Sequence, residues 1–133
     1  MKKIHYIIIV IVILIIAWLF VRFVIGGPED SWIKDDRGVW VKHGNPSYLP
    51  DNVASQQEAI NSTLALYQQN KDQGMNFSSQ CLGSVNGYAV DIVHVPRISN
   101  DNLLENQCED FVKGNVNKFI ELDANGSIVK IGE

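Results

Sequence analysis

Five side chains carry the chemistry that this sequence can offer. His43, Asp91 and His94 can exchange protons, and Cys81 and Cys108 are its two cysteines. A histidine in contact with a carboxylate makes an acid–base dyad, and two histidines with two thiolates make a tetrahedral zinc set. The spacing supports neither. Asp91 and His94 are three apart in YAVDIVHV, a segment that reads as a strand, so alternation sends their side chains to opposite faces. A set of His43, His94, Cys81 and Cys108 matches no finger or ribbon pattern, and using both thiols would forfeit a bridge between them. No G-x-S-x-G elbow accompanies these residues. No catalytic residue, metal or cofactor is assigned, and His43, Asp91 and His94 stand as candidates for a polar site.

The cysteines point to structure instead. No C-x-x-C is present, and Gln80, Leu82, Gln107 and Glu109 supply no cation to lower a thiol pKa. A disulfide between Cys81 and Cys108 is expected, with a stabilisation of about 3–4 kcal/mol from loop closure. Asp91 lies among Ala89, Val93 and Val95, where an unpaired buried carboxylate would cost several kcal/mol. It therefore calls for a solvated face or a partner such as Arg97 or Lys118.

The elements that must position these groups read as α+β, with one helix on an antiparallel sheet of hairpins forming a meander. Ser31–Lys34 and Val39–His43 form a hairpin around Asp35-Asp36-Arg37-Gly38, and Trp32 and Trp40 can pair across it. A helix is predicted from about Val53 to Gln73. Asp51 and Asn52 can cap its start, or Ser55 can, with Glu58 completing a capping box, and Gly74 serves as its stop. Val53, Gln57, Ile60, Leu64 and Tyr67 make its apolar stripe, and Gln56 falls on the wet side. Gln80–Val85 and Tyr88–Val95 flank Asn86-Gly87, a type I′ turn signal. Both faces of the second strand are largely apolar, as suits a central strand. Ser99–Asn106 reads as loop; Cys108–Val112, Val116–Leu122 and Ser127–Ile131 complete the meander.

Ahead of this domain lies YIIIVIVILIIAWLFV, residues 6–21. With its apolar neighbours it extends to about 22 residues, roughly 33 Å as a helix, the thickness of a bilayer's hydrocarbon core. Lys2 and Lys3 place the N-terminus in the cytoplasm by the positive-inside bias, and Trp18, Phe20 and Phe23 suit the far interface. The run exceeds an ordinary signal-peptide core and no small-x-small cleavage site comes after it, so an uncleaved signal-anchor is expected. The organisation is then a cytoplasmic segment 1–5, a single-pass transmembrane segment 6–25, a short linker 26–30 and an extracytoplasmic domain 31–133.

The chain carries a net charge of −4, but from Pro28 onward eight Lys/Arg face fifteen Asp/Glu, a net −7. An acidic domain without a basic patch offers no footprint for nucleic acid and is repelled by anionic headgroups.

The stretch Ser31-Trp32-Ile33, continued at Gly38-Val39-Trp40-Val41-Lys42-His43-Gly44-Asn45-Pro46, resembles a module of uncharacterised prokaryotic membrane-anchored proteins. In those a cysteine often comes after the isoleucine; here Lys34 takes that place. The resemblance implies an anchored prokaryotic protein and carries no activity. The expected function is a membrane-anchored binding or structural module of the cell envelope. Its expected partners are the bilayer, through residues 6–25, and an envelope protein or glycan. The alternative is a membrane-tethered hydrolase or metal-dependent enzyme using His43, Asp91 or His94.

Overall fold

The computed structural model describes the backbone of residues 2–25, 27 and 29–133. Of the predicted linker, Gly26 and Pro28 lie outside the described residues, as does Met1. The chain divides into two compact units, residues 1–33 with 41–50, and residues 34–40 with 51–133.

The first unit begins with α1, Lys2–Phe20, which continues as a π-helical stretch over Val21–Ile25. The segment Lys3–Val24 is long and apolar enough to cross a membrane, and its isoleucines and valines are exposed. Asp30 holds the chain together just past this helix. Its Oδ2 accepts hydrogen bonds from Arg22 at 2.8 Å and from the Gly27 N–H at 2.6 Å. The Gly27 N–H, with Arg22 and the Asn45 N–H, holds the Asp30 carboxyl below its usual range despite its withdrawal from water. Asn45 Nδ2 donates to the Phe23 carbonyl at 2.7 Å, an acceptor left over at the helix end. Strands β1 (Ser31–Lys34) and β2 (Trp40–His43) pair as a ribbon, of which Lys34, Trp40 and the turn between them are counted with the second unit. Each tryptophan lies under a lysine of the opposite strand, Trp32 under Lys42 at 5.7 Å and Trp40 under Lys34 at 5.1 Å.

The second unit holds α2 (Asp51–Asp72) and a four-stranded sheet in the order β3 (Gln80–Val85), β4 (Tyr88–Ile92), β5 (Lys118–Leu122), β6 (Ile128–Gly132). Asn86 at φ 49° and Gly87 at φ 80° make the predicted tight turn between β3 and β4. α2 ends as a Schellman closure, with Gly74 at φ 78° and the Met75 N–H on the Asn70 carbonyl. Tyr88, Val90 and Ile92 of β4, Ile120 and Leu122 of β5 and Ile131 of β6 form the core with Ala59 and Tyr67 of α2. Gly126 is required where it stands, because a Cβ there would meet the Tyr67 ring at 2.6 Å.

Three expectations are corrected. The sheet is not an antiparallel meander, because β4 and β5 run parallel. Parallel neighbours need a crossover of a dozen residues or more, which residues 93–117 supply as two 3₁₀ turns and a one-turn helix rather than one periodic helix. Within it Glu109–Val112 is helix α3, not strand. Glu109 and Asp110 favour a helix start there, and Cys108 just before it is pinned by its bridge.

The buried face of α2 is Val53, Gln56, Ala59, Thr63 and Tyr67, rotated from the predicted stripe, and Leu64 is left exposed. Gln56 is 0% exposed because its amide serves the β1–β2 turn. Its Oε1 accepts the Trp40 N–H at 2.8 Å and its Nε2 donates to the Gly38 carbonyl at 3.0 Å. A side chain that completes a backbone ladder is worth burying although it is polar.

Candidate functional site

Alternation along β4 and β5 places Asp91 and Glu121 on the face of the sheet opposite the α2 core. Parallel pairing puts them directly side by side, Asp91 against Glu121 and Ala89 against Phe119. The crossover folds over this face and leaves a cleft of about 180 Å³. Asp91, Phe119 and Glu121 line it from the sheet, and Arg97, Asp101 and Phe111 from the crossover.

Two carboxylates in register repel each other, and the surroundings answer unequally. Glu121, 7% exposed, is met by Arg97, whose Nη1 donates to Oε1 at 2.6 Å. Arg97 is itself steadied by Asn102 Oδ1 at 2.9 Å and the Asp101 carbonyl at 3.3 Å. Asp91, 9% exposed, receives on Oδ1 the Cys108 N–H at 3.1 Å. Burial pushes Asp91 up to about 6, and the Glu121 charge adds to this, against the Cys108 N–H and the more distant Arg97. The charged partner anticipated for Asp91 is thus not in contact with it; Arg97 goes to Glu121.

The Cys81–Cys108 disulfide is formed, with Cα atoms 4.8 Å apart. It ties β3 to the crossover just ahead of α3 and so positions the N–H that reaches Asp91. Cys81, Asp91 and Cys108 present ligand-type atoms within 4.8 Å of one another. With both sulfurs in the bridge, only the carboxylate retains capacity for a metal.

His94 falls beyond the end of β4 and lines a second depression with Ser78, Val95 and Asp123. Its Nδ1 lies 2.9 Å from Asp101 Oδ1. Asp101 is 4% exposed and saturated, with Ser79 Oγ donating to it at 2.7 Å and the backbone N–H groups of Ile98 and His94 at 2.8 and 3.2 Å. Burial alone would raise this carboxyl; hydrogen bonds from His94, Ser79 and the two N–H groups hold it far below the usual range. Serine, histidine and aspartate thus meet, but not in a nucleophile's order. Ser79 gives its proton to Asp101 and stands 3.3 Å from the same Nδ1 that faces the carboxylate, so no base activates it.

Asp91 and His94 therefore belong to different depressions. His43 is exposed at the end of β2, in the first unit, whereas Asp91 and His94 belong to the second. Glu121 and Asp101 were not among the expected site residues. The signal for Glu121 was present: KFIEL, like YAVDI, sets one carboxylate against alternate apolar positions. Comparison with protein-family models, with curated proteins and with solved structures finds no match.

Proposed function

We propose that this chain is a single-pass envelope protein, anchored by α1 with its N-terminus in the cytoplasm, whose α+β domain works outside the cell as a binding module. The carrying observation is the pairing, in one chain, of an exposed apolar helix with a disulfide in the folded domain. A bridge of this kind persists in oxidising compartments and is rare in the cytosol. Lys2 and Lys3 ahead of the apolar run favour the same orientation. The similarity to prokaryotic anchored modules at residues 31–46 agrees with it. The Asp91–Glu121 cleft is the binding site in this reading, and an envelope protein or glycan is the partner expected to reach it.

The test is labelling of Cys81 and Cys108 in intact cells with a membrane-impermeant maleimide. Labelling only after reduction is the expected outcome. Labelling only after lysis would put the domain inside and overturn the proposal.

One observation favours the enzyme alternative. A carboxyl with a raised pKa beside a second carboxylate is the layout of a general acid next to a charged partner. Against it, His94 is turned to Asp101 and does not share the Asp91 cleft. Hydrolysis of a glycoside or ester that is lost in Asp91→Asn would favour the enzyme over the binding module.

A further inference from the structure

We propose that the cleft between β4, β5 and the crossover binds an organic cation, an alkylammonium or guanidinium group, seated between Asp91 and Glu121 with Phe111 and Phe119 as its apolar wall. The inference rests on the binding-module reading and names the ligand class for its site.

The cleft is built with acceptors in excess. Three carboxylates and one guanidinium line it, a net −2 when all are ionised. Asp101 has its full set of donors from within the fold, and Arg97 occupies one oxygen of Glu121. Asp91 Oδ2 and Glu121 Oε2 receive no hydrogen bond from the described residues and are not enclosed, so both keep access to solvent at the cleft. A cation carrying several N–H groups can take the place of solvent at these two oxygens, supplying donors and opposite charge together.

Phe111 and Phe119 meet edge to face with centroids 5.5 Å apart, a surface suited to the methylenes beside an ammonium and to cation–π contact. A cavity of about 150 Å³ holds a benzene ring, so this cleft of about 180 Å³ admits an end group of roughly six to eight non-hydrogen atoms. The carboxylates turn away phosphates and sulfates. Calcium takes six to eight oxygen ligands, and the aromatic wall offers none.

The charged groups facing Asp91 are Glu121 on β5 and Arg97 and Asp101 on the crossover; from the β3 side it meets the Cys81 bridge. Because Asp91 exchanges its proton at about pH 6, a cation entering at that pH expels the proton held there. Binding should release a fraction of a proton at pH 6 and be about tenfold tighter at pH 7.5 than at pH 5.

The experiment is calorimetric titration of the full chain in a non-ionic detergent with butylammonium, agmatine and N-acetyl-lysine amide. It is run at pH 5, 6 and 7.5 in two buffers of different ionisation enthalpy. The expected result is saturable binding with proton release, no binding of butanol, and a loss of tenfold or more in Asp91→Asn. Absence of binding at 10 mM, equal binding of butanol, unchanged affinity in folded Asp91→Asn, or competition by equimolar calcium would each overturn the proposal. The proton count is read on the unaltered chain, so it decides even if the variant fails to fold. Purified chain binds irrespective of which side of a membrane the domain faces. Amine binding with an intracellular domain would therefore sink only the envelope reading, and no binding with an exported domain only the ligand class.

Discussion

Asp91 and Asp101 are both carboxylates withdrawn from water in the same unit, one at the centre of the sheet and one in the crossover above it. Asp101 has four donors, two from side chains and two from the backbone, and is held ionised. Asp91 has one backbone donor and a like charge beside it, and is pushed toward its neutral form. Two carboxylates nearly closed off from solvent thus shift in opposite directions: Asp91 lies deeper, with one donor and a like charge, and Asp101 has four donors. The saturated carboxylate organises a loop, and the under-served one is left with capacity for something from outside.

The largest effect expected from breaking this contrast is at Asp101. Asp101→Ala strips four donors of their acceptor and should destabilise the domain by about 3–5 kcal/mol in urea unfolding at pH 7. Reduction of Cys81–Cys108, or its replacement by serines, should cost about 3–4 kcal/mol. It should also raise the pKa of Asp91 further, because the Cys108 N–H is no longer held against Oδ1; carbon-detected NMR titration of that carboxyl reads this directly. A smaller gain is expected from Asp91→Asn, which keeps an acceptor for Cys108 and removes a charge from the low-dielectric face. It should stabilise the domain by about 1–3 kcal/mol at pH 8 and by almost nothing at pH 3.

The pH profile sharpens the contrast most finely. The native state holds the Asp91 proton more tightly than the unfolded chain, so stability falls as pH rises from about 4 to about 6. For Asp101 the unfolded chain holds the proton more tightly, so stability falls as pH drops below the ordinary carboxylate range of about 4. Stability should therefore peak near pH 4–5 in thermal unfolding across pH, and Asp91→Asn should flatten the upper side alone. A profile that rises monotonically to pH 7 would contradict the assignment for Asp91.

Local chemistry was legible where one short segment decides the outcome. Asn86-Gly87 specified its turn by tolerance of positive φ, Gly74 closed α2, and the unbroken apolar run of residues 6–21 announced a long apolar helix. The cysteine pair was legible because two thiols have only one intramolecular pairing available. Illegible features were those in which a residue answers to a distant partner. Gln56 reads as solvated by its type and is buried because a ribbon sixteen or more positions away needs its amide. The crossover reads as loop and strand because irregular turns, not a periodic helix, carry β4 to its parallel neighbour.

Residue order is enough to establish that an apolar span precedes an acidic α+β domain, where its turns fall, and that Asp91 and Glu121 each interrupt an apolar strand. Only in the folded domain do those two strands lie side by side in parallel register, which makes two isolated carboxylates into one site. Alternation is a property of a single strand and can be read from its residues. Adjacency is a property of the sheet, set by burying the Tyr88, Val90, Ile92, Ile120 and Leu122 face against α2, and no local pattern encodes it.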